Sequence, residues 1–302
     1  MHLIAYILIY PILWFISILP FSVLYKLSDV VCFFVHRVFG YRVGVVRKNL
    51  KLTLPHLSKN ELTAIENKFY THLCDLFLEM IKTINISDKE IKKRFVFTNI
   101  ELINEYEAKG KSVLLMCAHY ASWEWLIVIS KYINFNTYGI YKQMQNPYFD
   151  RLVQKIRFRL GAELLETKKA IEKMEYNKAN NINGFYGFAS DQSPQYHKAK
   201  YWDKFMGIEV PVYTGAEMLS KKLDANILFV KVEKLKRGFY QATMTPLVEN
   251  PLEVPDYQIT SLFLREVEKQ IFEQPELYFW THNRWKHKRE NKHSSAAENL
   301  HF

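Results

Sequence analysis

The sequence predicts an α/β protein with a mostly parallel central sheet flanked by helices, preceded by an apolar membrane-anchoring segment. Short uninterrupted apolar runs alternate along the chain with longer stretches in which apolar residues recur every three or four positions. This alternation is typical of a parallel sheet whose strands are covered on both faces by helices. The clearest strand covers residues 112–117, and the clearest helix covers residues 58–84, where Ser58 and Glu61 form a capping box.

Further elements can be placed in the same way, from apolar runs for strands and from helical periodicity for helices. The sequence predicts strands at residues 137–141, 184–189, 226–232 and 239–245, and helices at residues 123–132, 146–160, 212–222 and 259–272. The chain has no internal repeat, so residues 41–293 are predicted to form one continuous domain. Residues 294–302 resemble the remnant of an engineered protease site or a disordered tail, and they carry no functional interpretation.

The composition excludes several classes of protein. The chain has 302 residues, of which 49% are apolar, and it carries 41 Lys and Arg against 31 Asp and Glu, for a net charge of +10. These values exclude a disordered chain, a collagen-like fibre and a polytopic membrane protein. Three cysteines without a C-x-x-C pair favour neither a disulfide framework nor a zinc site, and they indicate a reducing compartment. The excess of positive charge favours an anionic partner, such as a membrane surface, an acidic protein or a phosphorylated substrate.

The N-terminal segment is strongly apolar. Residues 3–25 contain no charged side chain, and at about 1.5 Å per residue a helix of this length would cross a hydrocarbon core of about 30 Å. Pro11 and Pro20 interrupt the segment, and a second apolar stretch follows at residues 30–39. Residues 1–40 are therefore predicted to anchor the protein in the membrane, either by spanning it or by entering and returning. A buried core helix is the alternative.

Basic residues cluster on the C-terminal side of this segment: Lys26, Arg37, Arg42, Arg47, Lys48 and Lys51. The positive-inside tendency places this side, and with it the body of the protein, in the cytoplasm. Basic side chains close to the surface also favour binding to anionic headgroups.

The strongest chemical signal lies directly after the strand at residues 112–117. His119 occupies the turn that follows, and the carboxyl ends of parallel strands are where ligands bind. Glu124 lies about one helical turn further on, where its carboxylate could accept the N–H of His119, fix the tautomer and raise the basicity of the ring. No serine nucleophile accompanies the pair, so the predicted reaction is deprotonation of a hydroxyl or amine of the substrate. The alternative is a buried histidine bound to a backbone carbonyl.

The H-x-x-x-x-E pattern resembles the signature of the glycerolipid acyltransferases. Residues 119–125 are most similar to the lipid A biosynthesis (lauroyl/myristoyl) acyltransferases, although Ala121 and Ser122 replace the Gly-Asn pair of that family. Five further segments resemble the family in the same order: Tyr141-Lys142 with Asn146-Pro147, Arg157-Phe-Arg159-Leu-Gly161, Ser190-Asp191-Gln192-Ser193-Pro194, Phe205-Met206-Gly207 with Pro211, and Trp280-Thr-His-Asn-Arg284-Trp285-Lys286. Together these segments extend over residues 110–288, and the apolar N-terminus agrees with them.

The resemblance implies a membrane-associated O-acyltransferase that moves a fatty acyl chain from a thioester donor to a hydroxyl of a lipid A precursor or related glycolipid. His119 would act as the general base, and Glu124 would orient it. The donor would be an acyl carrier protein thioester or acyl-CoA, used as a co-substrate, without a metal or another cofactor. The enzyme would lie at the bacterial inner (cytoplasmic) membrane, with its catalytic domain on the cytoplasmic side.

The same resemblance implies a binding site for an anionic acceptor. Arg157 and Arg159 would bind its phosphate, since arginine makes bidentate contacts better than lysine. Lys142, Asp191 and Gln192 would complete the substrate site. A solvated helix face is the alternative for the two arginines, and an Asx turn is the alternative for Asp191. Basic residues near the C-terminus would contact the donor: Arg284, Lys286, Lys288 and Arg289.

Other functions stay open on the sequence alone. A lysophospholipid or an amino-acid lipid could replace the glycolipid as acceptor, because His119 can deprotonate any of them. A non-catalytic, membrane-bound lipid-binding or scaffold protein is the alternative from another class, although the His119 and Glu124 pair counts against it. Nucleic-acid binding is not expected, because the basic residues match no nucleic-acid-binding motif.

Overall fold

The computed structural model describes residues 1–289, apart from the side chain of Lys168. The predicted tail at residues 294–302 and the last residues of the predicted domain lie outside this range. The helices are α1 (His2–Ile18), α2 (Phe21–Cys32), α3 (Val43–Thr53), α4 (Lys59–Lys82), α5 (Asp88–Arg94), α6 (Glu101–Ala108), α7 (Pro147–Arg159), α8 (Thr167–Ala179), α9 (Gly215–Leu223) and α10 (Gln258–Glu273). The strands are β1 (Phe95–Phe97), β2 (Val113–Cys117), β3 (Asn136–Tyr141), β4 (Ala162–Glu166), β5 (Gly184–Ala189), β6 (Tyr201–Phe205), β7 (Ile208–Val212), β8 (Asn226–Lys236) and β9 (Phe239–Pro246).

Seven strands form the central sheet in the order β1-β9-β8-β2-β5-β3-β4, and β6 and β7 form a separate antiparallel hairpin. Every neighbouring pair in the large sheet is parallel except β8 and β9. The predicted α/β fold with a mostly parallel sheet is therefore confirmed. All residues of β2 are buried, as expected for a central strand covered on both faces.

The pairing of β2 with β5 positions the candidate site. β3 and β4 separate these strands in the chain but lie beyond β5 in the sheet. In the parallel register Cys117 lies opposite Ala189, so the loops that follow leave the same edge of the sheet side by side. The N–H of Ser190 continues the ladder by donating to the carbonyl of Cys117 at 3.1 Å. His119 and Asp191, each two residues beyond the last matched pair, are thereby brought together.

The apolar N-terminus folds as two helices. α1 has 17 residues, with Pro11 inside it, and Pro20 is the N-cap of α2. Within residues 1–289 no helix combines the length and the apolar character needed to cross a membrane. The spanning form of the predicted anchor is therefore not observed, because Pro20 cannot continue the helical hydrogen bonding. Exposed apolar side chains along this part of the chain form what we call the N-terminal apolar face: Ile4, Ile7, Leu8, Ile12, Phe15, Val30, Phe33 and Phe39.

A buried network of polar and charged side chains fixes the N-terminal helices to the sheet. Asp75 and Glu79, both on α4, are fully buried at its centre. Ser28 of α2 donates to Asp75 at 2.7 Å, and Tyr240 of β9 donates to Glu79 at 3.0 Å. Arg237, in the turn between β8 and β9, donates to both carboxylate oxygens of Asp75. We call these five residues the support network.

Candidate active site

His119 lies in a loop that is held by the chain segment after α10. Ala121 in this loop has a positive φ of 48°. The N–H of Phe279 donates to the carbonyl of His119 at 3.1 Å, and the N–H of Ala121 donates to the carbonyl of Leu277 at 3.0 Å. The rings of Trp123 and Phe279 lie 5.3 and 6.1 Å from the imidazole, measured between centroids. These contacts fix the imidazole at the edge of the sheet.

Asp191 holds the imidazole through one carboxylate oxygen. Its Oδ1 accepts the backbone N–H of His119 at 3.0 Å and lies 2.7 Å from Nδ1 of the same residue. The Asp191 side chain is 1% exposed, whereas that of His119 is 21% exposed. Since an ionised carboxylate only accepts hydrogen bonds, Nδ1 is the protonated nitrogen and Nε2 carries the lone pair. The ring therefore has the tautomer that a general base acting through Nε2 requires.

The charges around this pair favour its ionised form. Burial alone would lower the pKa of His119, but the carboxylate of Asp191, with a smaller contribution from Glu124, raises that pKa above its ordinary value. Burial alone would raise the pKa of Asp191, but the neighbouring His119 lowers it. His119 can therefore accept a proton at a lower cost than an isolated buried imidazole.

Arg284 fixes the loop that carries Asp191. Its side chain is fully buried, and its Nε donates to the backbone carbonyl of Asp191 at 2.6 Å. Its Nη1 donates to Ser193 Oγ at 2.8 Å and to the carbonyl of Pro211 at 3.1 Å. The predicted contact of Arg284 with the donor is wrong, because a fully buried guanidinium cannot reach a carrier protein or coenzyme. The other basic residues predicted to contact the donor are exposed: Lys286, Lys288 and Arg289.

Glu124 contacts a different partner from the one that its spacing predicts. Residues Trp123–Lys131 form a 3₁₀ segment, and the carboxylate of Glu124 forms an ion pair with Arg157 near the end of α7. The imidazole of His119 makes its hydrogen bond with Asp191 instead. The predicted bond from His119 to Glu124 is therefore wrong. The carboxylate at Nδ1 belongs to Asp191, which follows β5, and a spacing pattern within the loop after β2 cannot reveal it.

A cavity of about 590 Å³ opens at this site. Its polar end is lined by five of the predicted residues: His119, Glu124, Lys142, Arg157 and Gln192. Its interior is mostly apolar, with walls from β2, β5 and the 3₁₀ segment that include Leu115, Leu126, Ile129 and Phe185. An apolar interior with cationic side chains at one end fits an amphipathic, anionic ligand.

Two of the predicted substrate-binding residues do not line the cavity. Arg159 donates to the carbonyls of Thr83 and Ile86, at 2.5 and 3.0 Å, just beyond the end of α4. These contacts satisfy carbonyls near a helix C-terminus and attach α7 to α4. Asp191 lies behind the imidazole of His119, to which it is bonded. Of the predicted pair of arginines, the structure therefore brings Arg157 to the cavity and gives Arg159 a structural contact.

Two glycines that the sequence patterns do not single out line the interior of the cavity. Gly139 of β3 lies opposite Gly187 of β5, and Leu115 of β2 lies on the other side of Gly187 in the same register. A Cβ atom added to Gly187 would meet the carbonyl oxygen of Tyr138 at 3.8 Å, an ordinary contact, so the absent side chain leaves open space. Glycine inside a strand is the one sequence signal of such a close approach by a ligand or backbone.

The whole chain is similar to enzymes of lipid A biosynthesis. Residues 1–287 match the sequence profile of the bacterial lipid A biosynthesis acyltransferases. The chain is 25% identical to the lipid A biosynthesis lauroyltransferase of Escherichia coli (strain K12), over 91% of its own length and 89% of that enzyme. It is 24% identical, with the same coverage, to the lipid A biosynthesis palmitoleoyltransferase of that strain, and 23% identical to a lipid A biosynthesis acyltransferase of Haemophilus influenzae, over 77% of its length and 72% of that enzyme. The chain therefore belongs to the bacterial lipid A biosynthesis acyltransferase family and is an O-acyltransferase.

Proposed function

We propose that this enzyme transfers a fatty acyl chain from a thioester, on acyl carrier protein or coenzyme A, to a hydroxyl of a lipid A precursor or related glycolipid, with His119 as the general base. The observation that carries the proposal is the position of His119, which lines an apolar cavity while its Nδ1 is bound to a buried carboxylate. Family membership supports the class of acceptor. The cationic end of the cavity supports an anionic lipid.

The proposed reaction is an acyl transfer with proton shuttling by His119. Nε2 accepts the hydroxyl proton of the acceptor while the hydroxyl oxygen bonds to the thioester carbonyl carbon. The tetrahedral intermediate collapses, the C–S bond breaks, and the imidazolium returns its proton to the departing thiolate. The products are an acyl ester and a free thiol, so the step balances without another reactant. Glu124 assists through its charge, which adds to that of Asp191 in raising the pKa of His119 above its ordinary value.

The cationic side chains at the polar end would bind the acceptor phosphate. Arg157 and Lys142 line this end of the cavity together with His119. A guanidinium forms two parallel hydrogen bonds with a phosphate, which sets both the position and the orientation of the headgroup. A phosphate bound here would leave the apolar interior to the acyl chain. In this proposed arrangement the thioester carbonyl carbon would lie near the imidazole.

We further propose that the N-terminal apolar face lies in the cytoplasmic surface of the bacterial inner membrane. A helix that lies in the interface buries its apolar side among headgroups and acyl chains without spanning the bilayer. Tyr6 of α1 packs against Tyr148 and Phe149 of α7, with centroid distances of 5.7 and 5.3 Å. Because α7 also carries Arg157, membrane binding through α1 would bring the cavity close to lipid acceptors.

The test is transfer of labelled acyl chains in detergent micelles. The donors are the acyl carrier protein thioester and, separately, acyl-CoA; the acceptors are a lipid A precursor, lysophospholipids and amino-acid lipids. His119→Ala is the test variant, and His56→Ala, which removes an exposed histidine, is the matched control. Both variants must keep the unfolding temperature of the unmodified protein within a few degrees for the comparison to count.

The proposal expects label on the lipid A precursor, retained in His56→Ala and lost in His119→Ala. Transfer to a lysophospholipid or amino-acid lipid alone would replace the proposed acceptor. Folded protein that transfers label from neither donor to any acceptor would contradict the proposed reaction. Transfer that survives in His119→Ala would contradict the role of the imidazole.

A further inference from the structure

We infer that the two carboxylates of the site have separate tasks: Asp191 positions the imidazole of His119, and Glu124 positions the guanidinium of Arg157. The inference deepens the proposed function and rests on it, since it assigns positioning residues to the proposed base and to the proposed phosphate contact. Each carboxylate acts through another side chain, so neither is assigned a contact with the reacting atoms.

Asp191 restrains His119 at two points. One oxygen, Oδ1, accepts both the backbone N–H and Nδ1 of the same residue, at 3.0 and 2.7 Å. The bond to the backbone N–H fixes the position of the main chain at His119. The bond to Nδ1 fixes the rotation of the ring and its tautomer.

Hydrogen bonds from the C-terminal part of the described chain hold the loop that carries Asp191. Arg284 donates to the backbone carbonyl of Asp191 at 2.6 Å, and Ser193 Oγ donates to the carbonyl of Arg284 at 2.6 Å. Because the guanidinium binds the carbonyl, the carboxylate of Asp191 stays available for the imidazole. The 1% exposure of the Asp191 side chain also excludes water, which strengthens its interaction with His119.

Glu124 orients the side chain of Arg157 through an ion pair. The carboxylate pairs with Nη2 of the guanidinium, and both side chains line the cavity. Nη1 of Arg157 lies 4.0 Å from the point where a Cβ of Gly139 would be, so the guanidinium lies close to a strand residue that also lines the cavity. Arginine carries five N–H donors, so a partner on Nη2 orients the group and leaves donors for a phosphate. At 19% exposure Glu124 is also more open to solvent than Asp191.

Separate tasks predict separate kinetic effects. Asp191→Asn should lower kcat by about 10²- to 10⁴-fold, and it should move the acidic limb of the pH–rate profile to lower pH, since the imidazole loses the charge that favours its protonated form. Glu124→Gln should raise the KM for the acceptor by about tenfold and change kcat by less than about tenfold. Arg157→Gln should raise the same KM by a similar factor, and the double variant Glu124→Gln/Arg157→Gln should raise it little further, because both changes remove one shared interaction.

The second readout needs no turnover. Imidazole nitrogens of ¹⁵N-histidine-labelled protein can be titrated by NMR, with His119→Ala identifying the resonances of His119. In the unmodified protein and in Glu124→Gln we expect a proton on Nδ1. The titration in Glu124→Gln should move to lower pH by less than about one unit, because Glu124 contributes less than Asp191 to the raised pKa of His119. In Asp191→Asn we expect the titration of His119 to move to lower pH by about 1–3 units, the range for removal of a contacting opposite charge.

The opposite pattern would overturn the inference. A larger kcat loss and a larger titration shift in Glu124→Gln than in Asp191→Asn, with an unchanged acceptor KM, would return the orienting role to Glu124. If Asp191→Asn does not fold, Glu124→Gln decides alone, since a shift of more than about one unit in its His119 titration contradicts the assignment. If the unmodified protein transfers nothing, the proposed function fails, while the NMR titrations still test which carboxylate holds the imidazole.

Discussion

Two histidines in this molecule, the partly buried His119 and the buried His72, have opposite properties because they contact opposite charges. His119 contacts Asp191, and the pKa of the imidazole is raised although burial alone would lower it. His72 on α4 is 3% exposed, and its Nδ1 lies 3.3 Å from Nζ of Lys234. Burial and this ammonium lower the pKa of His72 to about 3. The contact with a carboxylate favours the protonated form of the first imidazole, whereas burial and the contact with an ammonium favour the neutral form of the second.

The arginines of the support network and of the candidate site bind different groups of the neighbouring aspartates. In the support network, Arg237 binds the carboxylate of Asp75 directly. The negative charge of Asp75 therefore stabilises the packing of the helices on the sheet. At the candidate active site, Arg284 binds the backbone carbonyl of Asp191, and the carboxylate of Asp191 contacts the imidazole of His119.

The largest expected effect is on the transfer rate, which should depend on His119 and not on His72. His119→Ala should lower the transfer rate by about 10³-fold, the usual contribution of a positioned general base. His72→Gln should leave the rate per folded molecule nearly unchanged, because the amide can still accept a hydrogen bond from Lys234 and no cavity residue is altered. The measurement is the initial rate per milligram of protein with native circular dichroism. Equal losses in both variants would show that the comparison between the two regions is wrong.

A smaller effect is expected from substitutions at two glycines, one in the cavity and one beside the support network, because the space around them differs. Gly187 faces the open cavity. Gly238, next to Arg237, has a positive φ of 74°. A Cβ at Gly238 would collide with the hydroxyl of Tyr25 and lie 3.0 Å from Nη1 of Arg94. Gly238→Ala should therefore reduce the free energy of unfolding by about 1–3 kcal/mol. Gly187→Val should keep the fold and shorten the apolar cavity by about two carbons. At about 0.8 kcal/mol per methylene, the preference for the longest accepted donor should fall about tenfold.

These glycine variants are measured by different readouts. Urea unfolding gives the change for Gly238→Ala, with Gly44→Ala as the control because a Cβ at Gly44 meets no atom within 4 Å. Competition between labelled donors of different chain length gives the change for Gly187→Val. A destabilised Gly187→Val with an unchanged donor preference would show that the acyl chain binds elsewhere.

Much of the fold could be predicted because buried parallel strands leave a local signal. The apolar run of β2 and the strands β3, β5, β8 and β9 lie at or near their predicted positions. β1 was missed because three residues carry no period, and the edge strand β4, with glutamates at residues 163 and 166, lacks a continuous apolar run. The helix predicted at residues 123–132 is 3₁₀, a distinction that apolar periodicity does not make over so short a segment.

The site residues could be predicted, but their partners could not. His119 and Asp191 are 72 residues apart, and they meet because β5 lies beside β2 while β3 and β4 lie beyond it. Strand order is a property of the whole sheet, so the spacing within one loop favoured Glu124 instead. Arg284 illustrates the same limit, since a basic residue near the C-terminus indicates a surface contact until its complete burial is known.

The smallest expected effect concerns the dependence of stability on pH. His72 has a folded-state pKa of about 3 against an ordinary value of 6.5, so below pH 6.5 the unfolded chain binds a proton that the folded chain does not. Its contribution to the free energy of unfolding is present above pH 6.5 and is lost as the pH falls from there towards 3. The pKa of His119 is raised, so its contribution is present below 6.5 and is lost as the pH rises through the folded-state value.

Removal of each imidazole should therefore change acid stability in opposite directions. Between pH 6.5 and about 5.5 the His72 contribution falls by about 1 kcal/mol, so His72→Gln should lose that much less stability than the unmodified protein over this range. His119→Gln should lose more than the unmodified protein. Because burial raises the pKa of Glu79 to about 7 and gives it the opposite sign to His72, the effect is taken as the difference between variant and unmodified protein in urea unfolding at each pH. Parallel curves of unfolding free energy against pH for all three proteins would contradict this prediction. They would mean that neither imidazole changes its pKa on folding, so that the contacts with Lys234 and Asp191 have no thermodynamic consequence.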